Sequence, residues 1–167
     1  MKFIADAMLG TLAKWLRILG YDTQFDPDLD DHQLVRLARA QDRVLLTRDR
    51  ELAQRRGLCV LLVTSEHLDA QIGQVLAELK LTPDRSFSRC PVCNEPLAEM
   101  DHEMARSLVP PYVARTHKVF KSCPSCQRIY WRGSHWQRMD DQLAQILEKD
   151  VPSVVEGVSQ TNPTVRR

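Results

Sequence analysis

Two Cys-x-x-Cys pairs constrain this chain more than any other feature of its sequence. Cys90 and Cys93 form the first pair, Cys123 and Cys126 form the second, and a proline lies inside each. A tight turn of this kind points two thiolates at one ion, so two turns supply the four sulfur ligands of a tetrahedral zinc site. Redox disulfides and isolated buried thiols are the alternatives, but the repeated spacing favours structural zinc. A closed four-thiolate site leaves no position for a substrate, so any chemistry must come from elsewhere.

Length and composition exclude several classes of protein. The 167 residues suffice for one moderate domain and a small appended module. A net charge of +1 argues against a strongly basic, tail-driven nucleic-acid binder but allows a local basic face. No apolar stretch approaches the roughly 20 residues of a membrane span, and the N-terminus becomes acidic at Asp6, too early for a signal peptide. We therefore expect a cytoplasmic protein with no membrane partner, where thiols are held by metal rather than in disulfides.

Apolar runs alternate with helical patterns in the first half of the chain. Strands are predicted at 2–5, 23–25, 44–47 and 58–63, and a helical pattern follows each one. The runs at 44–47 and 58–63 are continuously apolar, as expected for strands that are buried on both faces. This alternation predicts an α/β fold with a doubly wound parallel sheet. Cys59 lies in the last of these runs and is interpreted as a core thiol.

The composition changes near residues 82–84, which predicts a domain boundary there. The α/β domain would cover residues 1–82, and a zinc ribbon with a closing helix would cover 86–149. The helix is predicted from Trp136 to Lys149, with one apolar face made by Met139, Leu143, Ile146 and Leu147. The polar segment 150–167 is predicted to be a disordered tail.

Acidic residues recur where the predicted strands end. Asp6 follows the first strand, Asp30 and Asp31 open the second helix, and Asp49 follows the strand at 44–47. Active sites of open α/β sheets form beyond the carboxyl ends of the strands. Carboxylates there can bind Mg²⁺ or Mn²⁺, which activates a water and stabilises the leaving oxygen of a phosphodiester. The pattern therefore predicts catalytic roles for Asp6, Asp30, Asp31 and Asp49, with Asp6 and Asp49 as ligands of Mg²⁺ or Mn²⁺.

Helix capping is the alternative for each of these residues, because Asp is a favoured N-cap. Of the adjacent pair, Asp31 is the predicted cap, and Asp30 is predicted to be freer to reach a metal. Thr47, which precedes Asp49 by two residues, could orient a carboxylate or a water. A solvated loop is predicted for Asp22, Asp26 and Asp28.

Basic residues interleaved with aromatic ones suit single-stranded RNA, through phosphate contacts and base stacking. The RNA-binding candidates are Lys14, Arg17, Arg48, Lys121, Arg128, Trp131, Arg132 and His135. A solvated helix face is the alternative for Lys14 and Arg17. Tyr130 and Trp136 have an alternative role in packing the ribbon core or its seam with the α/β domain. For His135 the alternative is a hydrogen-bonded structural residue.

Three ordered signatures resemble one known family. The first comprises residues 3–10, 12–17 and 19–22, the second is 43–52, and the third combines the cysteine pairs with 129–136. They resemble the PIN-like ribonuclease family named for the C-terminal domain of the Mut-seven exonuclease, over roughly residues 1–145.

The resemblance implies a PIN-like fold followed by a zinc ribbon and a metal-dependent ribonuclease activity that hydrolyses RNA phosphodiesters. By position, the acidic residues of that family fall on Asp6, on Asp30 or Asp31, and on Asp49. A fourth acid would have to be Glu66 or Asp69, which follow the strand at 58–63. Because a fold does not establish catalysis, the alternative is a non-catalytic RNA-binding or protein-interaction module that retains the PIN-like fold.

Overall fold

A four-stranded parallel sheet organises the first part of the chain in the computed structural model, which describes residues 1–82 and 87–149. Its strands and helices, in chain order, are β1 (Lys2–Ala5), α1 (Gly10–Ile18), β2 (Asp22–Phe25), α2 (Asp31–Ala40), β3 (Val44–Thr47), β4 (Val60–Leu62) and α3 (Leu68–Glu78). The strand order is β2-β1-β3-β4, and every neighbouring pair is parallel. The predicted α/β architecture with a parallel sheet is confirmed.

Side chains that alternate along the strands face two different helical layers, because successive strand residues point to opposite faces. Phe3 and Leu46 pack in a core with α1 and α3, whereas Ile4 and Leu45 pack in a second core with α2. The sheet is therefore covered by helices on both faces, which explains why the sequences of its central strands are continuously apolar.

The helix predicted after β3 is reduced to a single 3-10 turn at Leu52–Gln54. The Asp49 side chain caps this segment by accepting hydrogen bonds from the backbone N–H groups of Glu51 and Leu52. At Arg55 the backbone is already extended, with φ −62° and ψ 129°, so the helical pattern cannot continue.

A three-stranded antiparallel sheet forms the core of the cysteine-containing part. Its strands, in the order β5-β6-β7, are β5 (Ala98–Met100), β6 (Phe120–Ser122) and β7 (Ile129–Trp131). Two short helices, α4 (His102–Arg106) and α5 (Pro111–Thr116), connect β5 to β6. Phe120 is 1% exposed and packs against the buried side chains of Ala105, Val109 and Ala114. This core is small, so the ribbon needs another source of stability.

The last described helix, α6 (Ser134–Lys149), leaves the ribbon and packs against α3 of the α/β part. Leu143 and Ile146 enter the same core as α1 and α3, while Leu147 remains 36% exposed. The predicted boundary falls largely on residues 83–86, and the predicted disordered tail on 150–167, both outside the described residues. Within the described ranges, no helix combines the length and apolar character needed to cross a membrane.

Asp22 and Arg17 fasten the first cysteine turn to the sheet. Asp22 Oδ1 accepts hydrogen bonds from Arg43 Nη1 and from Asn94 Nδ2, both at 2.7 Å. Arg17, only 6% exposed, donates from Nη1 to the carbonyl oxygens of Pro91 at 3.2 Å and Val92 at 2.8 Å. The predicted solvated position of Asp22 is wrong, because its ion pair with Arg43 leaves only 17% of its side chain exposed.

Replacement of Asp22 by Asn is expected to remove a pH-dependent part of the stability. Burial alone would raise the pKa of Asp22, but hydrogen bonds from Arg43 and Asn94 and the charge of Arg43 hold that pKa below its ordinary value. A lowered folded-state pKa stabilises the protein above the unfolded pKa of about 3.9, and this contribution disappears as the pH falls through the folded value. At pH 7 we expect a loss of about 1 kcal/mol in the free energy of unfolding.

Urea unfolding of the wild type and of Asp22→Asn at pH 7 and near pH 3 measures this effect. The difference between the two proteins should become smaller at the lower pH, and Asp28→Asn, on the exposed β2–α2 loop, serves as the control. Acid release of metal can alter the contacts of Asp22 with Asn94 and Arg89 at the first cysteine turn, whereas the ion pair with Arg43 lies outside the ribbon. A difference that is as large near pH 3 as at pH 7 would contradict the ion-pair account.

Candidate metal and nucleic-acid sites

The four cysteines of the two Cys-x-x-Cys pairs form one cluster. All four Sγ atoms lie within 4.8 Å of one another. Cys90 Sγ is 3.6 Å from Cys126 Sγ, and Cys93 Sγ is 3.3 Å from Cys123 Sγ. A tetrahedral zinc ion with Zn–S bonds of about 2.3 Å separates its sulfurs by about 3.8 Å. The donor set and its spacing therefore fit structural zinc.

The two cysteine turns repeat the same backbone geometry. Asn94 and Gln127, each directly after a pair, have positive φ angles of 67° and 59°. Their N–H groups donate to the carbonyl oxygens of Cys90 and Cys123, at 3.0 and 2.9 Å. This left-handed residue turns the chain back, so each pair presents both thiols on one side. Asn adopts that conformation more readily than most residues, which suits the first turn.

Hydrogen bonds and burial shift the pKa values of the metal-free thiols in different directions. The backbone N–H of Arg128 lowers the pKa of Cys126 to about 6, whereas burial raises the pKa of Cys93 to about 12. Burial also opposes ionisation of Cys90, but the Tyr130 hydroxyl, 3.1 Å from its Sγ, lowers the pKa of that thiol overall. Burial raises the pKa of Tyr130 itself, so its hydroxyl keeps the proton that it donates. The position of Tyr130 at the cluster agrees with the structural alternative for this residue.

Asp6 lies at the carboxyl edge of the parallel sheet, beside the point where the strand order changes direction. The chain runs from β1 to β2 on one side and then crosses to β3 on the other, so Asp6 lies at the switch point where α/β sheets form their sites. The carboxylate is 6% exposed. Its Oδ1 accepts from Met8 N at 2.9 Å, and its Oδ2 accepts from the Thr47 hydroxyl and from Arg48 N, the latter at 3.1 Å.

Thr47 connects Asp6 to the backbone of Asp49. Its hydroxyl, fully buried, donates to Asp6 and accepts from Asp49 N at 2.9 Å. Asp49 is exposed, and its Oδ1 accepts from Glu51 N and Leu52 N. Among the described residues no hydrogen bond reaches Asp49 Oδ2. The hydrogen bond from Thr47 to Asp6 is consistent with the carboxylate-orienting role predicted for Thr47.

The capping prediction for the pair at 30–31 is wrong. Asp30, not Asp31, is the N-cap of α2, and its Oδ1 accepts from Gln33 N at 2.8 Å. The Gln33 side chain accepts from Asp30 N in return, which completes a capping box. Asp31 lies exposed in the first turn of α2, where a negative charge favours the helix dipole.

The two residues considered as a fourth acid have different partners. Glu66 forms an ion pair with Arg48 at 2.8 Å and is 81% exposed. Asp69 instead accepts a hydrogen bond from Gln142 of α6 at 2.6 Å. Across residues 1–82 and 87–149, the cysteine cluster is the only group of three or more potential ligands within 4.8 Å of one another. The acidic residues therefore share one edge of the sheet without forming a compact ligand set.

The model of the Mut7-C RNAse domain matches residues 1–143 of the chain. The chain belongs to the Mut7-C RNAse domain family. This match confirms the resemblance drawn from the three signatures and covers both the parallel sheet and the cysteine cluster. Comparison with curated proteins found no match, and comparison with solved structures found none either.

Three predicted RNA-binding residues of this Mut7-C domain are held by other groups. Arg17 is buried and donates to carbonyl oxygens of the first cysteine turn, so we exclude it from the RNA-binding candidates. Arg48 is paired with Glu66, and Lys121 Nζ donates to the Phe87 carbonyl oxygen at 3.0 Å. These three side chains therefore have structural contacts that could not be predicted from neighbouring residues in the sequence.

Three of the remaining candidates of the Mut7-C domain lie together, between α1 and the ribbon. Lys14, Arg128 and Trp131 line a common cavity. Arg132 is exposed, with its guanidinium carbon 5.5 Å from the centre of the Trp136 ring. The side chain of His135 lies outside the described part of the structure.

Proposed function

We propose that this protein is a metal-dependent ribonuclease with a PIN-like fold, and that it hydrolyses RNA phosphodiesters at the carboxyl edge of β1 and β3. The Asp6–Thr47–Asp49 network at the switch point of the sheet carries the proposal, and membership of the Mut7-C RNAse domain family supports it. The cysteine cluster has no open position, so we assign it to structural zinc.

A hydrated Mg²⁺ or Mn²⁺ ion at this edge would need few ligands from the protein. Mg²⁺ commonly uses only one or two carboxylates and keeps several waters and substrate oxygens as its other ligands. Asp6 and Asp49 would supply those carboxylates, and Asp49 Oδ2 is the oxygen that no described residue occupies. Such an ion supplies a nucleophilic water and stabilises the leaving oxygen.

The protein's own residues position the reacting groups. Thr47 holds the Asp6 carboxylate through its hydroxyl, and Arg48 fixes the same oxygen through its backbone N–H. The Arg48 guanidinium would bind a phosphate oxygen in exchange for its exposed partner Glu66. Glu66 then becomes available as the additional acid at this edge, whereas Asp69 stays bound to Gln142.

RNA binding without cleavage is the second candidate function. One observation favours it: Asp6, Asp30 and Asp49 each cap a turn or helix with their own carboxylate. In this case the acidic residues would be structural, and the basic and aromatic residues of the ribbon would carry the function.

Incubation of zinc-loaded protein with end-labelled RNA separates the two candidates. Single-stranded and hairpin RNAs are incubated with Mn²⁺, with Mg²⁺ or with neither added, and the products are resolved by size. We expect cleavage only when Mn²⁺ or Mg²⁺ is added. Salt-sensitive binding without products would overturn the ribonuclease in favour of the second candidate. Absence of RNA affinity would overturn both.

A further inference from the structure

A cavity of about 430 Å³ lies between α1, the first cysteine turn, β7 and the start of α6. Its volume falls within the range of about 300–1,000 Å³ that is usual for ligand sites. We propose that this cavity binds one unstacked nucleotide of single-stranded RNA, with the base inside and the phosphate at the mouth. The proposal rests on the proposed action on RNA, but it concerns a different site from the Asp6 edge.

The walls of the cavity suit a flat aromatic base. Four aromatic side chains line it, namely Phe87, Tyr130, Trp131 and Trp136. Stacking on aromatic side chains is the usual way in which proteins hold an unpaired base, and it accepts any base because every base has a π face. Aliphatic residues, among them Ile18 and Val92, make up other parts of the lining.

Trp136 offers a hydrogen-bond donor that the described residues leave unused. Its indole Nε1 is buried and has no hydrogen-bond partner among them. A buried donor without an acceptor costs about 1–3 kcal/mol, so a bound base that shifts the Trp136 ring and brings an acceptor to its Nε1 would gain from this group. The carbonyl oxygens and ring nitrogens of nucleobases are such acceptors.

Cations lie where the phosphate of that nucleotide would be. Lys14 and Arg128 are exposed and line the cavity. Arg89 also lines it, but its guanidinium pairs with Asp22 at 3.8 Å and donates to the Asn94 carbonyl oxygen at 2.6 Å. Lys14 has no hydrogen bond or ion pair with any described residue. Cationic groups beside an aromatic cleft are what single-stranded nucleic acid requires, since the backbone carries one negative charge per nucleotide.

Val92→Trp tests the proposal by filling the cavity. Val92 is 50% exposed and lies between the two cysteines of its turn, so a larger side chain need not disturb the core. We expect this variant to bind a fluorescent single-stranded RNA about tenfold more weakly, within the range that the loss of one stacked base produces. Binding is measured by anisotropy without added Mg²⁺ or Mn²⁺ and without chelator, so the RNA stays intact and the zinc stays bound.

Two milder variants extend the test. Trp136→Phe keeps an aromatic ring but removes the N–H, so its RNA affinity should fall by less than that of Val92→Trp. Lys14→Ala should reduce the slope of log affinity against log salt by about 0.7. The matched control is Lys118→Ala, an exposed cation of the ribbon that does not line the cavity. Zinc content and the melting temperature confirm that each variant is folded.

The outcomes distinguish this proposal from the proposed function. Folded Val92→Trp protein that binds RNA like the wild type would overturn the nucleotide cavity, even if the wild type cleaves RNA. Weakened binding in Val92→Trp together with absent cleavage by the wild type would support the cavity and overturn only the ribonuclease. Binding of uridine monophosphate to the wild type but not to Val92→Trp, with unchanged RNA affinity in that variant, would assign the cavity to free nucleotides and overturn the RNA proposal.

Discussion

Removal of zinc is expected to unfold the ribbon while the parallel sheet persists. The buried ribbon core consists of Phe120 and three small side chains, with only partly buried residues around them, which is too little apolar burial to hold three short strands alone. Structural zinc contributes about 10–16 kcal/mol of apparent binding free energy in small peptides at neutral pH, far more than such a core. Chelation should therefore make the ribbon susceptible to trypsin at Lys118 and Lys121, which mass spectrometry of the fragments would identify.

Serine substitutions show whether this effect belongs to the cysteine cluster. Cys123→Ser should lose the metal and show the protease sensitivity of the chelated protein. Cys59→Ser is the matched control, because Cys59 is half-buried against the core of the parallel sheet and lies outside the cluster. Less than about half an equivalent of zinc in the native protein would contradict the assignment, since a closed four-thiolate site binds zinc tightly.

The zinc content is also expected to fall with decreasing pH. Zinc binds thiolates, so protons compete with it. Burial raises the pKa of Cys93 to about 12, so this thiol must release a proton when the metal binds at neutral pH. Lower pH opposes that release and weakens binding.

Loss of either edge carboxylate is expected to abolish most of the RNA cleavage. Substitution of residues that only support metal ligands typically costs 10–100-fold, so we expect Asp6→Asn and Asp49→Asn to lower the single-turnover rate by at least about 100-fold. RNA affinity without added Mg²⁺ or Mn²⁺ should change little, because the proposed nucleotide cavity lies elsewhere. Asp28→Asn, on the exposed loop, is the control.

The two substitutions differ in their structural consequences. In Asp6→Asn the side-chain NH₂ group can face the Thr47 hydroxyl and the Arg48 N–H, and all of these groups are donors. We therefore also expect a loss of about 1–3 kcal/mol in the free energy of unfolding. Asp49 is exposed and its Oδ2 accepts nothing from the described residues, so Asp49→Asn should remain as stable as the wild type. Asp49→Asn is therefore the cleaner test. Cleavage at the wild-type rate by both variants would refute the acidic site.

The sequence patterns that succeeded are those whose signal is local. Continuous apolar runs predicted β3 and β4, and the spacing of Cys90, Cys93, Cys123 and Cys126 predicted the cluster, because both follow from neighbouring residues. Gln33 at the third position of α2 was also a local signal, since it selects Asp30 as the cap through a capping box.

Contacts between distant segments could not be predicted in this way. Asp22 pairs with Arg43, and Arg17 binds carbonyl groups of the first cysteine turn, more than seventy residues away in the sequence. No periodicity or spacing marks these partners, because only the folded chain brings them together. The acidic site shows the same limit: the strand ends place its carboxylates on one edge, but their separations depend on loops and caps.

The packing of α6 also determines the order in which the protein can fold during synthesis. Leu143 and Ile146 complete the core beneath α1 and α3, yet the ribosome makes them only after the whole ribbon. Until they emerge, α1 and α3 expose apolar surface that has no covering partner, and contacts so distant in sequence form slowly. A ribbon that binds its metal early would shorten the effective loop that must close before α6 can pack. The time needed to complete the core of α1 and α3 would then depend on the metal concentration.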